Sequence, residues 1–209
     1  MNLEEFAPNG VFVLPIFEKE GRDYILCGRE TQKWDHGTYD SFGGKVDKSD
    51  RDVLDSATRE FDEEAFGSDC LGLSREQIRN HIQENTGQII AVQDDRKKNV
   101  LYMTRFSEEQ IRDILHNFGP VYNETEYVHE NGYHEKDRLA TVAVSDIYQA
   151  LCSELEVVPA QIYTLEGQNY FDYVRLRPIL IKLLKPLCLN FPVAQKLQPA
   201  ERNISLYKI

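Results

Sequence analysis

The residues most able to do chemistry are Arg59-Glu60-Phe61-Asp62-Glu63-Glu64. On a helix each residue advances by about 100°. Glu60 and Glu64 then share one face, a turn apart, with Glu63 beside them, and Phe61 is turned about 100° away from Glu60. Arg59 stands four residues before Glu63 and can pair with it. Three carboxylates this close repel, and each must gain a proton or cost stability unless a cation sits among them. Hard oxygen ligands select Mg²⁺, Mn²⁺ or Ca²⁺ over zinc. Gly43-Gly44 lies just upstream. Such a loop permits close backbone approach, and can offer a carbonyl to a metal or N–H groups to a phosphate.

These residues need a scaffold. Asp50 to Phe66 reads as a helix with an apolar stripe of Leu54, Ala57, Phe61 and Ala65; Asp50 or Asp52 caps its start and Gly67 ends it. Gly10–Phe17 and Asp23–Arg29 read as a hairpin around Gly21, and Thr38–Val46 holds a short strand before the glycines. Further helices are predicted at Ser74–Asn85, with a Ser74/Gln77 capping box, and at Ser107–Asn117 and Ser145–Leu155. Strands are predicted at 88–93, 100–106 and 139–144, with 118–136 irregular and acidic. A Tyr-rich stretch spans 163–173, an apolar helix covers Val174–Leu184, and the tail from Asn190 carries no clear pattern. The elements interleave without βαβ regularity. That predicts an α/β (α+β) fold: an α/β/α sandwich with a mixed central sheet and an extra C-terminal helical segment. One domain over 1–209 is expected, its core at about 8–155 and residues 156–209 a helical extension packed on it.

Composition narrows the partners. Apolar residues make up 41% and charged residues 28%, as in a globular protein, and 35 acids against 24 Lys and Arg give a net charge of −11. That surface repels polyanions, so non-specific nucleic-acid binding is excluded from the expectations, while a small anion reached through divalent cations is not. Cys27, Cys70, Cys152 and Cys188 are widely spaced and read as free thiols in a reducing compartment. No signal-peptide pattern and no membrane-length apolar run are present, so no membrane partner and a cytoplasmic location are expected.

Gly43-Gly44-Lys45-Val46-Asp47 through Arg59-Glu60-Phe61-Asp62-Glu63-Glu64 resembles the Nudix box, Gly-x₅-Glu-x₇-Arg-Glu-U-x-Glu-Glu-x-Gly-U with U apolar. The box runs from Gly44 to Gly67 with three departures. One residue more separates Gly44 from Arg59 than in the family; Asp50 or Asp52 stands where its first Glu would be; Phe66 occupies the final Gly position. A charge-rich helix alone is ordinarily a solvated face; the glycine loop, the arginine and the apolar stripe set this one apart.

The resemblance implies a Mg²⁺ (or Mn²⁺) site formed by Glu60, Glu63, Glu64 and the Gly44 carbonyl, with Arg59 orienting the carboxylates. It implies hydrolysis of a small-molecule pyrophosphate: a nucleoside diphosphate linked to another moiety, of ADP-ribose, sugar-nucleotide or dinucleotide type. Diadenosine polyphosphate, inositol pyrophosphate and mRNA cap are alternative substrates, and a nucleotide-binding regulatory module with little catalysis is the alternative class. Many members use a further acid remote in sequence. Glu124, Glu126, Glu130 and Glu135 are candidates, and Glu130, among His129, Tyr133 and His134, is preferred as a catalytic residue alongside Glu63, Glu64 and Arg59. For substrate binding, Arg29, Gly43 and Lys45 stand at family positions, and Trp34, in a polar loop, could stack a base. Arg175, Arg177 and Lys182 could hold a distal phosphate, but read first as cations snorkelling over a packed helix. Residues 156–209 complete the sandwich, form a homodimer surface or serve interactions.

Overall fold

The first apolar run forms β1 (Gly10–Lys19), and β2 (Arg22–Glu30) returns beside it through a tight turn in which Glu20 and Gly21 both take positive φ. In this computed structural model, which describes residues 3–32, 34–93, 97–124, 135–153, 155–190 and 203–208, the two strands soon part. They pair from Lys19↔Arg22 to Ile16↔Ile25 only. Beyond that point β3 (Tyr39–Asp40) pairs with β2, and β4 (Phe42–Lys45) pairs with β1 from Val13↔Phe42 to Gly10↔Lys45. The splayed hairpin thus holds Gly43 and Gly44 in a wedge between its arms.

The sheet extends on both sides. β6 (Lys98–Arg105) runs parallel to β1, β5 (Thr86–Gln93) antiparallel to β6, and β10 (Asn203–Lys208) parallel to β5. On the other side β7 (Lys136–Ala143), β8 (Val157–Thr164) and β9 (Asn169–Arg175) follow β2 in antiparallel order. The order is β10-β5-β6-β1-β2-β7-β8-β9. Mixed strand directions were the expectation, and the sheet has them.

Each face carries its own core. One buries Phe42, Phe61, Phe106, Ile78, Ile114 and Phe118 beneath α2 (Val53–Ala65), α3 (Gly67–Leu71), α4 (Arg75–Asn85) and α5 (Glu108–Glu124). The other buries Leu14, Leu101, Ile147, Leu180 and Leu183 beneath α6 (Val144–Cys152) and α7 (Pro178–Asn190). The result is three layers, helices on both faces of a mixed sheet. Each such side chain contributes about 1.5–3 kcal/mol by leaving water. Cys27 and Cys70 are buried free thiols, and Cys152 is exposed. Among the described residues no helix is long and apolar enough to cross a membrane.

The C-terminal region departs from its expected helical character. Helix α7 is present, but β8, β9 and β10 lie in the same stretch and join the sheet. The apolar run Val174–Leu184 divides at Pro178, the first residue of α7. Proline suits a first helical turn and leaves the residues before it extended. The tail residues 203–208 find order by pairing with β5, a partner distant in sequence. Helix α5 continues to Glu124 through Pro120, past the expected end near Asn117.

Candidate functional site

Helix α2 holds the acids in place because the apolar stripe beside them is anchored. Phe61 is fully buried, edge-on to Phe42 at 5.6 Å between ring centroids. Asp52 is the N-cap, accepting from the Asp55 N–H at 2.8 Å, and it also pairs with Arg79. Asp50 plays a different part, its carboxylate accepting from Arg59 Nε at 3.1 Å and from Ser56 Oγ at 2.7 Å. Of the two aspartates, Asp50 is therefore the partner of Arg59.

Arg59 gathers the site. Its Nη1 donates to Glu63 Oε2 at 3.0 Å, its Nη2 lies 2.9 Å from Glu60 Oε1, and Nη2 also donates to the Lys45 carbonyl at 3.1 Å. The Gly43 N–H donates to Glu64 Oε2 at 2.6 Å. A Cβ on Gly44 would stand 2.5 Å from Glu60 Oε2, and one on Gly43 would stand 2.3 Å from the Val11 carbonyl oxygen. The Gly43 contact is with backbone and requires glycine; at Gly44 a Cβ would displace the Glu60 carboxylate. At the far end of α2, Phe66 adopts the left-handed conformation (φ 51°, ψ 44°) that glycine takes most readily. Its ring packs on Phe118 and Tyr122.

A second charged group lies against Glu64. Lys136, at the head of β7, has a fully buried side chain that pairs with Glu30 and lies 3.5 Å from Glu64 Oε1. Arg177, just before α7, donates to Glu30 at 3.1 Å, Asp40 at 3.0 Å and Asp35 at 2.7 Å. Burial lifts the Glu60 carboxyl to about 7, opposed by Arg59 and aided by Glu63 and Glu135. Burial also raises Glu64 well above the ordinary range; Lys136 opposes this, and a hydrogen bond with Glu135 adds to it. Burial alone would lower Lys136, but Glu64, Glu30 and Asp40 outweigh it and raise it. Among the described residues no group of three or more His, Cys, Asp or Glu side chains is arranged to hold a metal ion. Arg59 and Lys136 stand between the carboxylates instead.

Glu60, Glu63, Glu64, Arg59, Gly43 and Gly44 come together as expected from their spacing. Lys45 meets Arg59 through its carbonyl, and its side chain is exposed. Arg29 is clasped by Asp137 through two hydrogen bonds, which engages its guanidinium within the sheet. Trp34 is 91% exposed in the loop between β2 and β3. Glu126 and Glu130 lie outside the described residues; of the two described candidates, Glu124 and Glu135, it is Glu135 that interacts with Glu64 and Glu60. Sequence reasoning missed Lys136, Glu30 and Asp40, and took Arg177 for a surface cation. Their one signal was charge at the ends of apolar strands, which solvent-facing strand ends share. A separate cavity of about 440 Å³ opens between α5 and the β2–β7–β8 surface, lined by Arg22, Tyr24, Arg112, His116 and Tyr163 among others; none of Glu60, Glu63 and Glu64 lines it.

No protein-family model matches the chain, and no curated protein matches it in sequence. In structure the chain is similar to Shewanella oneidensis NrtR, at 11% identity over 67% of this chain and 54% of that one, with a TM-score of 0.40. It is similar to a C. elegans Ap4A hydrolase in a binary complex, at 13% identity over 68% of this chain and 85% of that one, with a TM-score of 0.39. A MutT/nudix family protein from Enterococcus faecalis gives 12% identity over 86% and 61%, with a TM-score of 0.39. The chain thus spans about half the length of NrtR. Similarity at this level does not bear on chemistry, which the residues of the site must carry.

Proposed function

We propose that the chain is a Nudix-type pyrophosphohydrolase, dependent on Mg²⁺ or Mn²⁺, acting on a nucleoside diphosphate linked to another moiety. The observation that supports this reading most is the meeting of the Gly43-Gly44 wedge with the acidic face of α2 around Arg59. The donor chemistry fits a hard divalent ion. Asp50, Glu60 and Glu63 share Arg59, and Glu64 shares Lys136 with Glu30, so buried and half-buried carboxylates outnumber these two cations. Glu60, Glu63, Glu64 and the Gly44 carbonyl would hold the ion. When bound, it supplies charge neutralisation for the phosphoryl oxygens and activation of water.

The remaining work falls to the chain. Arg59 fixes the directions of Glu60 and Glu63. The Gly43 N–H fixes Glu64. Glu135, beside Glu64, takes the remote-acid role expected of Glu130 and accepts the proton of the attacking water. One water adds across one P–O–P bridge, and two phosphorylated products leave. The competing reading, a nucleotide-binding regulatory module, draws on the same ion pairs, because Arg59 and Lys136 already compensate part of the acidic charge.

An assay separates the two. Pyrophosphate compounds are incubated with the protein and Mg²⁺ or Mn²⁺, then with chelator. Two phosphorylated products are expected, only with metal. Glu63→Gln, at the more exposed carboxylate, is expected to cut the rate by about 100-fold or more while the fold is kept. Tight binding of one compound without turnover of any would overturn the enzyme reading in favour of the module.

A further inference from the structure

We infer that Lys136 is a tethered counter-ion of the acidic site, which competes with a divalent cation for Glu64. The inference rests on the metal-site reading above and extends it to a residue outside the box.

The placement of Lys136 is built, not incidental. Its side chain is fully buried, which a lysine tolerates only with partners. The β2–β7 pairing shifts register between Gly28 and Glu30, and this irregularity sets Lys136 opposite Glu30. The lysine stem crosses Gly28, where a Cβ would come within 2.8 Å of Lys136 Cδ and 3.2 Å of the Phe42 ring. Glu30 is held from its other side by Arg177, which also binds Asp40. The ammonium therefore has a fixed place with Glu30 on one side and Glu64 on the other.

Glu64 is consequently engaged at both oxygens. Oε2 accepts the Gly43 N–H at 2.6 Å, and Oε1 faces the ammonium at 3.5 Å. A divalent ion drawn to Glu64 meets a fixed positive charge at close range in a poorly solvated site, where repulsion is strong. Lys136 thereby stabilises the fold without metal and weakens the hold on metal. Removing its charge while keeping its bulk reverses both effects.

The test uses the full chain and Mn²⁺ alone, read by the loss of the free-ion signal in electron paramagnetic resonance. Thermal unfolding with and without Mg²⁺ is measured in parallel. Lys136→Met is expected to tighten Mn²⁺ binding by about tenfold or more. It is also expected to lower the Tm without metal and enlarge the Mg²⁺-induced rise in Tm. A merely structural lysine lowers the Tm equally with and without metal and leaves Mn²⁺ affinity unchanged; that result overturns the inference.

Glu30→Gln supplies an opposite sign should Lys136→Met not fold. With Glu30 neutral, Lys136 bears more fully on Glu64, and Mn²⁺ binding weakens several-fold. Unchanged or tighter binding in Glu30→Gln overturns the inference. No substrate enters these measurements, so a chain that hydrolyses nothing still decides the point. Should the wild type bind no Mn²⁺, binding gained by Lys136→Met supports the inference, and binding by neither chain overturns it together with the metal-site reading.

Discussion

Burial lifts the Glu60 carboxyl from an ordinary value of 4.5 to about 7, and Glu64 moves the same way for the same first cause. A carboxyl raised by folding stabilises the fold while protonated. For Glu60 that contribution is fully present below about pH 4.5 and is lost as pH rises through about 7. Without divalent cation, the urea midpoint of the wild type is expected to fall across this window relative to Glu60→Gln, which cannot ionise. Parallel profiles for the two chains would show that Glu60 carries no such burden. At this scale the sequence made the Arg59–Glu64 group legible because all its members lie on one helix, where spacing fixes geometry. It left Asp50 and Asp52 unresolved, and a cap separates them: Asp52 satisfies the helix N-terminus, and Asp50 is left to meet Arg59. Its preference for Glu130 among the remote acids rested on position within a loop, which sets no distance to anything. Lys136 escaped notice because its partners, Glu30 and Glu64, are far away in the chain.

Elements impose their own constraints on the site. Helix α2 meets the wedge formed by β3 and β4 so closely that the Glu60 carboxylate fills the space a Gly44 side chain would take. Gly44→Ala is expected to push Glu60 aside and to cost about 1–3 kcal/mol in urea unfolding. A neutral result would mean that the carboxylate swings away freely. Asp52→Ala removes the α2 cap and is expected to cost about 1 kcal/mol, by the same measurement. The periodic elements were readable in advance. Helix α4 begins with the Ser74/Gln77 capping box, both of its hydrogen bonds present. The elements that were not readable owe their form to tertiary contact. Helix α5 passes Gly119 so near the Leu165 carbonyl that a Cβ would lie 2.1 Å from it, an approach no local pattern announces. Strand β9 and helix α7 merge in a single apolar run that periodicity alone does not divide.

Across the whole molecule, the C-terminal region and the candidate site are joined by one side chain. Arg177 stands between β9 and α7, yet its guanidinium reaches Glu30 and Asp40 at the ends of β2 and β3, and Asp35 in the loop between them. Glu30 and Asp40 are almost wholly buried, so removing Arg177 leaves Lys136 as the cation for both among the described residues. Arg177→Met is expected to destabilise the protein by about 3 kcal/mol in urea unfolding. A loss well under about 1 kcal/mol would assign the neutralisation to Lys136 alone. Residues 157–175 and 203–208 contribute strands to the same sheet as β1, which leads us to expect one cooperative unfolding transition.

The two parallel pairings have a consequence in time. Gly10 on β1 must find Asn99 on β6, and Gln88 on β5 must find Asn203 on β10. Neither pair can close as a hairpin, since parallel neighbours need a long crossover between them. The chain surrenders the freedom of those long loops before the strands return any stabilisation, so diluting it from urea is expected to start a slow search, nearer milliseconds to seconds than microseconds. During that interval β5 waits with one side of its backbone unpaired, open to the wrong neighbour.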